Sequence, residues 1–451
     1  MWLINCSNYQ LEPNDLGSSQ SKPYWILSHT WGEDEVNFQD MQSLALSTAK
    51  LGFQKIQSMC KLALTSGINY VWIDKCCIDK TSSAELSESI NSMFYWYKES
   101  ERCIAFLNDL APGAESTTEN ELRGCRWFTR GWTLQELLAP SNVDFYDGQW
   151  NLSNITGIRN DILAHPSGTN GDILHTVSVA TRMSWPAARQ PTRIEDKAYC
   201  LLGIFDVHMP LLYGERGQAF IRLQQAIAQR ENDMSLFAWI ALRDNKRLPL
   251  STYSGLLASD PSQFAIPAEI VTIRDALLPA PSWIITNAGI EMTTALDQST
   301  GFEHTIMTRR SNGTVRIRTV DVRPKSYYRL LLHCRMKDPA DAEPSGELPC
   351  LAIWLRKTSS GYVRYHSTEL CLTKWSAMKF NDPRYISVPL SLTKQHQHDA
   401  LESLSFLQDK NILPNTLYIE RNFSTCDAQV EFKTLSSTFV GRRSAQLSAL
   451  A

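Results

Sequence analysis

The stretch Arg126–Pro140, read as Arg-Trp-Phe-Thr-Arg-Gly-Trp-Thr-Leu-Gln-Glu-Leu-Leu-Ala-Pro, sets an indole and a carboxylate at a spacing that suits chemistry. On a helix at about 100° per residue, Leu134, Leu137 and Leu138 form one stripe, while Trp132 and Glu136 lie one turn apart on nearly the opposite side. The leucines can hold the segment down while the other two face elsewhere. A carboxylate so placed can stabilise positive charge or guide water, and an indole can stack on a ring. The same pattern also describes an ordinary amphipathic helix with a solvated glutamate.

Other reactive residue types are less organised. Cys76-Cys77 is a vicinal pair with no CxxC partner and no histidine at ligand spacing, which reads as buried thiols rather than a metal site. His396-Gln-His398-Asp399 has ligand-type side chains in a polar stretch that reads as an exposed loop. The chain has no P-loop, GxGxxG or GxSxG, which argues against an NTPase, a Rossmann dehydrogenase and a serine hydrolase.

The elements that must position Glu136 can be read around it. Pro23–Gly32 is an aromatic and aliphatic run ending in Ser28, His29 and a glycine, the pattern of a short buried strand running into a loop. Leu51–Gly67 follows with Ile56, Met59, Cys60 and Ala63 at helical spacing and a glycine suited to a left-handed cap. Tyr70-Val-Trp-Ile-Asp74 is a second strand, and strand, helix, strand implies a parallel crossover. Ser82 and Glu85 have capping-box spacing before a stripe of Leu86, Ile90, Met93, Phe94 and Tyr97. Cys103–Leu107 is a third strand running into Asn108 and Asp109, and Val143–Tyr146 a fourth. Alternation of this kind predicts an open α/β sheet, with ligands bound beyond the carboxyl ends of its strands. Those ends carry Ser28, His29, Asp74, Asn108 and Asp109.

Ser28-His-Thr-Trp-Gly32, Trp72-Ile-Asp-Lys-Cys-Cys-Ile-Asp79 and Arg126–Leu138 closely resemble the three signature blocks of the fungal heterokaryon-incompatibility (HET) domain. The resemblance continues through Met183-Ser-Trp185, Arg193–Asp206, Met209–Glu215 and Gly255-Leu-Leu-Ala258, covering roughly the first 265 residues. It implies a role in non-self recognition and programmed cell death, a form of innate immunity. HET domains are distantly similar to Toll/interleukin-1 receptor (TIR) domains, some of which cleave NAD at the nicotinamide bond. The resemblance therefore implies a TIR-like (flavodoxin-like) open parallel sheet, with NAD as candidate substrate and no resident cofactor or metal. Carried over by position, Glu136 becomes the candidate catalytic carboxylate; beside it Ser28, His29 and Asp74 at the strand ends and Trp31 and Trp132 as stacking faces are the candidate substrate-binding residues, with a loop-bonding His29 and core tryptophans as the other readings. Nicotinamide in NAD is already a cationic leaving group, so one carboxylate can suffice. The competing reading is a non-catalytic death-signalling module. In either reading the implied partners are further copies of the chain on activation and an unknown incompatibility protein. Two positions depart from the family pattern, Lys75 where threonine is usual and His208 where asparagine is. Lys75 could meet a phosphate, pair with Asp74 or Asp79, or be solvated; His208 reads as structural.

Composition bounds the rest. A chain of 451 residues exceeds one typical core. We expect a HET α/β core over 1–150, a helical extension over 151–243, a β-rich accessory domain over 244–441, and a tail over 442–451. In the extension, Phe220, Leu223, Ala226 and Ile227 form an apolar stripe, and Arg193, Glu195, Asp196 and Lys197 could form an ion-pair network. The accessory domain, possible as a sandwich, is read from β-type runs at Thr314–Val322, Tyr327–Cys334, Cys350–Leu355 and Tyr385–Leu390, separated by turn-forming clusters such as Asp338–Gly346. A net charge of -3 gives no basic footprint for nucleic acid. Eleven cysteines without a regular framework fit a reducing compartment. With no apolar run long enough for a bilayer and no secretory pattern at the start, a cytoplasmic protein without a membrane span is the expectation.

Overall fold

The computed structural model describes residues 1–110, 124–151, 174–241, 253–266, 268–273, 280–287, 289–297, 303–309, 314–321, 327–337, 349–358, 361–373 and 384–390. The sequence segments 338–346, 396–399 and 442–451 discussed above lie outside the described residues. The chain divides into two compact units. Met1–Thr176 and Ala188–Ala219 belong to the first, Val177–Ala187 and Phe220–Ser448 to the second.

The first unit is built on a six-stranded sheet. Its strands are β1 (Trp2–Asn5), β2 (Leu11–Pro13), β3 (Trp25–His29), β4 (Tyr70–Ile73), β5 (Arg102–Leu107) and β6 (Val143–Asp147), in the order β2-β1-β4-β3-β5-β6. The last four of that order are parallel. Numbered among themselves by sequence they run 2-1-3-4, so the order reverses between β3 and β5. β1 and β2 add antiparallel strands at the β4 edge, which makes the sheet mixed rather than wholly parallel. Nothing in the expected pattern called for these two. They are three and four residues long, too short to show a period.

Helices α1 (Leu44–Thr48), α2 (Phe53–Thr65), α3 (Asp74–Cys77) and α4 (Ser83–Lys98) connect the first strands. α2 ends as expected: Gly67 has φ +79°, and Ile68 N donates to Ala63 O at 3.0 Å, the six-to-one bond of a Schellman cap. At α4 the Ser82 hydroxyl accepts from Glu85 N at 3.3 Å, but Glu85 reaches back to Asp79 N at 3.0 Å instead of completing a capping box with Ser82. All five residues of β3 are buried. On β5, Ile104 and Phe106 enter one apolar cluster while Ala105 and Leu107 enter another with Trp127, Phe128 and Phe145, so both faces of the sheet are covered.

After β5 come α5 (Arg126–Thr129) and α6 (Thr133–Leu138). Each of the six residues of α6 is buried. The amphipathic helix with a wet face is thereby corrected: no face of α6 is solvated, and Glu136 is 8 % exposed. α8 (Asp196–Tyr199) belongs to the same unit. Its acidic residues act as hydrogen-bond acceptors, Glu195 taking Gly214 N at 2.8 Å and Arg216 N at 3.0 Å, and Asp196 the Tyr213 hydroxyl at 3.0 Å. Arg193 lies over the Tyr213 ring at 4.4 Å.

The second unit begins with α7 (Val179–Ser184) and takes in most of α9 (Gln218–Arg230). On α9, Phe220, Leu223 and Ile227 are buried, while Ala226 is only half-buried. Gln224 is buried with them, and its amide pairs with both backbone groups of Ala258 at 2.8 and 2.9 Å, as a strand neighbour would. Strands β7 (Ile270–Thr272) to β16 (Arg384–Val388) form a seven-stranded and a three-stranded sheet, every pairing antiparallel. The β-rich C-terminal part is therefore as expected, with strands at Val315–Asp321, Tyr327–Met336, Cys350–Thr358 and Arg384–Val388 on the four runs read from sequence. Arg364, fully buried, donates to Phe237 O at 2.9 Å and Trp239 O at 2.6 Å and stacks over the Trp239 ring at 3.7 Å.

Gly203 shows how tightly the first unit packs. A Cβ there would stand 2.0 Å from Phe94 Cβ, an atom fixed to the α4 backbone that no rotamer change can withdraw. Gly203→Ala is expected to destabilise the first unit by about 3 kcal/mol, the upper end for overpacking. Gly217→Ala, with nothing within 4 Å, should be near neutral. Hydrogen exchange of the α4 amides in the two variants checks this.

Candidate functional site

β3 delivers Ser28 and His29 to the carboxyl end of the sheet, beside the strand-order reversal with β5. Crevices form at such reversals because the connections on either side leave toward opposite faces. α5 and α6 fill this end from the β5 side. The Trp127 indole donates to Ser28 Oγ at 2.7 Å, and the Ser28 hydroxyl donates to Glu136 Oε2. An indole N–H can only donate, so the direction of the relay is fixed: Trp127 to Ser28 to Glu136. Thr133, one turn before Glu136, donates to Trp127 O and ties α5 to α6.

Burial raises the Glu136 carboxyl to about 7, with Asp74 adding in the same direction and Ser28, Arg130 and Tyr97 opposing it. The Tyr97 hydroxyl, which donates to Leu27 O at 3.4 Å, is itself pushed well up by burial and by Glu136. Glu136 is thus poised between its two protonation states near neutral pH.

A second chain of contacts runs alongside. His29 Nε2 lies 3.3 Å from Asp74 Oδ1, an ion-pair distance without hydrogen-bond alignment. Its Nδ1 is 3.1 Å from Lys55 Nζ. Lys55 in turn pairs with Glu35. Asp74 accepts the Trp31 indole N–H at 3.0 Å and faces Lys80 at 3.9 Å. Burial works against ionisation of Asp74, but Lys80 and His29 outweigh it and hold the carboxyl well below the usual carboxylate range. The two acids of the site are therefore driven apart, one ionised throughout the neutral range and the other near its midpoint.

Of the residues expected in the site, Ser28 and Glu136 meet in the first chain of contacts and His29, Asp74 and Trp31 in the second. Trp132 belongs to neither, because it sits at the N-cap position of α6 and acts on the Asp196 carboxyl, whose pKa it helps to lower against burial. Asn108 accepts the Thr30 hydroxyl at 3.1 Å and Asp109 accepts Arg126 N at 2.8 Å, so both serve the loops. Trp127, Tyr97, Lys55, Lys80 and Arg130 join the site without having been singled out. Trp127 lies in the same fifteen-residue stretch as Glu136, nine positions earlier, but an apolar neighbour such as Phe128 gives it the look of core. Cys76 and Cys77 are buried thiols, and among the described residues no group of three or more His, Cys, Asp or Glu is placed to hold a metal.

Fold and site together define an α/β protein with a buried acid relay at the strand-order reversal, joined to a β-rich second unit. Residues 24–119, from just before β3 to beyond β5, match the family model described as heterokaryon incompatibility protein (HET), and the chain carries a HET domain. It is 38 % identical over 256 residues to vegetative incompatibility protein HET-E-1 of Podospora anserina. That similarity takes in 54 % of this chain and 19 % of the relative, so the chain spans about a fifth of the relative's length. No solved structure matches the chain.

The raised carboxyl has a measurable consequence. Because Glu136 binds its proton more tightly when folded than at the ordinary value of 4.5, the folded state loses stability as pH rises from about 4.5 to about 7. Glu136→Gln abolishes that loss. It is expected to stabilise the first unit by about 3 kcal/mol at pH 8 and not at pH 4, read as the difference in β3 amide exchange between variant and wild type at each pH.

Proposed function

We propose that the chain is a cytoplasmic heterokaryon-incompatibility protein whose HET domain cleaves NAD through Glu136, in a TIR-like site. The observation that carries this reading is Glu136 itself: a carboxyl buried at the strand-order reversal, oriented by Ser28 and raised to about 7. The 2-1-3-4 order of the parallel strands, which is that of flavodoxin-like sheets, supports the fold-level part. The reaction needs little else. The electron pair of the ribosyl–nicotinamide bond leaves with nicotinamide, which becomes neutral, and the ribosyl carbon develops oxocarbenium charge. Ionised Glu136 stabilises that charge, and water adds to the carbon with its proton passing to the carboxylate and then to solvent, giving ADP-ribose, nicotinamide and a proton. Trp127 and Ser28 hold the carboxylate in one orientation throughout, at a site from which bulk water is largely excluded.

The full chain incubated with NAD should release nicotinamide, and Glu136→Ala should lower the rate at least 100-fold, the scale of a lost catalytic carboxylate. Ionised Glu136 is the active form, so the rate should climb as pH rises through about 7. Equal release by wild type and Glu136→Ala, under conditions that promote self-association, defeats the proposal.

A second reading, a non-catalytic signalling module that works by self-assembly, is favoured by one observation. Leu44, Leu46 and Leu51 are 54, 58 and 75 % exposed within eight positions, an apolar surface of a kind that marks interaction sites. In that reading Leu46→Glu with Leu51→Glu abolishes both assembly, measured by sedimentation, and cell killing, while Glu136→Ala retains killing. Killing lost in Glu136→Ala with assembly intact rules it out.

A further inference from the structure

The Trp31 indole is crowded by cations. Lys80 Nζ lies 4.0 Å from its ring centroid, Lys75 Nζ 4.6 Å and the Arg130 guanidinium 5.1 Å. A fourth, Arg126, donates to the Trp31 carbonyl at 3.1 Å, which uses one of its five N–H groups. The three charges over the ring fall within about one Debye length of each other, about 10 Å at 0.1 M salt. Cation–π attraction is modest, and one ring cannot satisfy several ammonium and guanidinium groups at once.

Among the described residues, carboxylates do not balance the group. Among the described residues Asp74 is the acid paired with it, at 3.9 Å from Lys80, and Asp74 is already engaged by the Trp31 indole and by His29. Asp109 is taken up by the backbone N–H of Arg126. Lys80 records the imbalance: burial lowers its affinity for its proton, Asp74 opposes this, and Lys75 and Arg130 lower it further. The side chains of this group are half-buried to exposed, so an anion can reach them. They also border the carboxyl end of the sheet, where Asp74 couples Trp31 to His29 and Arg130 acts on Glu136.

We propose that Lys75, Lys80, Arg126 and Arg130, gathered around Trp31, bind the pyrophosphate of a dinucleotide whose ribosyl end reaches Glu136. A pyrophosphate supplies the localised double charge that this group lacks, with oxygens that guanidinium groups can take in bidentate fashion. The inference rests on the cleavage reading for which end of the ligand meets Glu136, but the anion site is measured without turnover.

The test is calorimetric titration of the full chain carrying Glu136→Gln with ADP-ribose, inorganic pyrophosphate and nicotinamide riboside. ADP-ribose should bind at least tenfold more tightly than nicotinamide riboside, which lacks the pyrophosphate, and pyrophosphate alone should compete with it. Lys75→Ala and Arg130→Ala, each added to that background, should weaken ADP-ribose binding at least tenfold and flatten its dependence on salt. Lys61→Ala, an exposed cation on α2, should change neither. ADP-ribose affinity equal in all four chains, or equal affinity for ADP-ribose and nicotinamide riboside, overturns the site. If the cation variants lose ADP-ribose binding while wild type releases no nicotinamide, the pyrophosphate site stands and the cleavage reading falls. If wild type releases nicotinamide with an unchanged KM in Lys75→Ala and Arg130→Ala, the reverse holds.

Discussion

A carboxyl group placed where water cannot solvate it must either find donors or keep its proton, and the first unit is arranged around that requirement at Glu136. Ser28 meets it from β3, and Trp127 fixes Ser28 from α5, so the serine cannot rotate away without stranding a buried indole N–H. The relay therefore clamps α5 and α6 to the end of β3. Burial still outweighs these bonds, which is why the group rests near neutrality instead of fully ionised. A wetter or more richly bonded position would hold it as a permanent anion, as Lys80 and His29 do for Asp74 a short distance away.

Much of this unit is legible in the amino-acid sequence, because its parallel strands are buried on both faces and read as unbroken apolar runs. Trp25–His29, Tyr70–Ile73 and Arg102–Leu107 announce themselves in this way, while the edge strand Val143–Asp147 mixes acidic and apolar residues, and Gly67 marks the end of α2 by the one backbone conformation it must adopt. The hairpin β1–β2 does not, since pairing with β4 supplies what its short segments lack in pattern. Around Glu136 the spacing of residues misleads. Trp132 and Glu136 are one turn apart, yet α6 is a six-residue helix enclosed on every side, and the partner of Glu136 lies 108 positions away. Periodicity describes a helix's own faces; it cannot tell how many of them other elements will cover.

In the second unit the runs are again legible as strands, but the polar groups buried among them are not. Arg364 would read as the outward residue of an alternating strand, and it is fully buried because the carbonyls of Phe237 and Trp239 and the Trp239 ring take up its guanidinium. Gln224 is similar: a polar residue within an apolar stripe becomes a surrogate strand partner for Ala258. Both are long-range bargains between segments far apart in the chain, invisible until the chain is folded.

The division of the chain between the two units has a bearing on how such a protein can change through evolution. The backbone passes from one unit to the other at residue 177, returns at 188 and leaves again at 220. A genetic exchange with a single crossover anywhere in that interval would deprive at least one unit of a segment that packs within it, Val177–Ala187 for the second or Ala188–Ala219 for the first. Substitution within either unit leaves both sets of segments in place, which a single crossover between residues 177 and 220 does not.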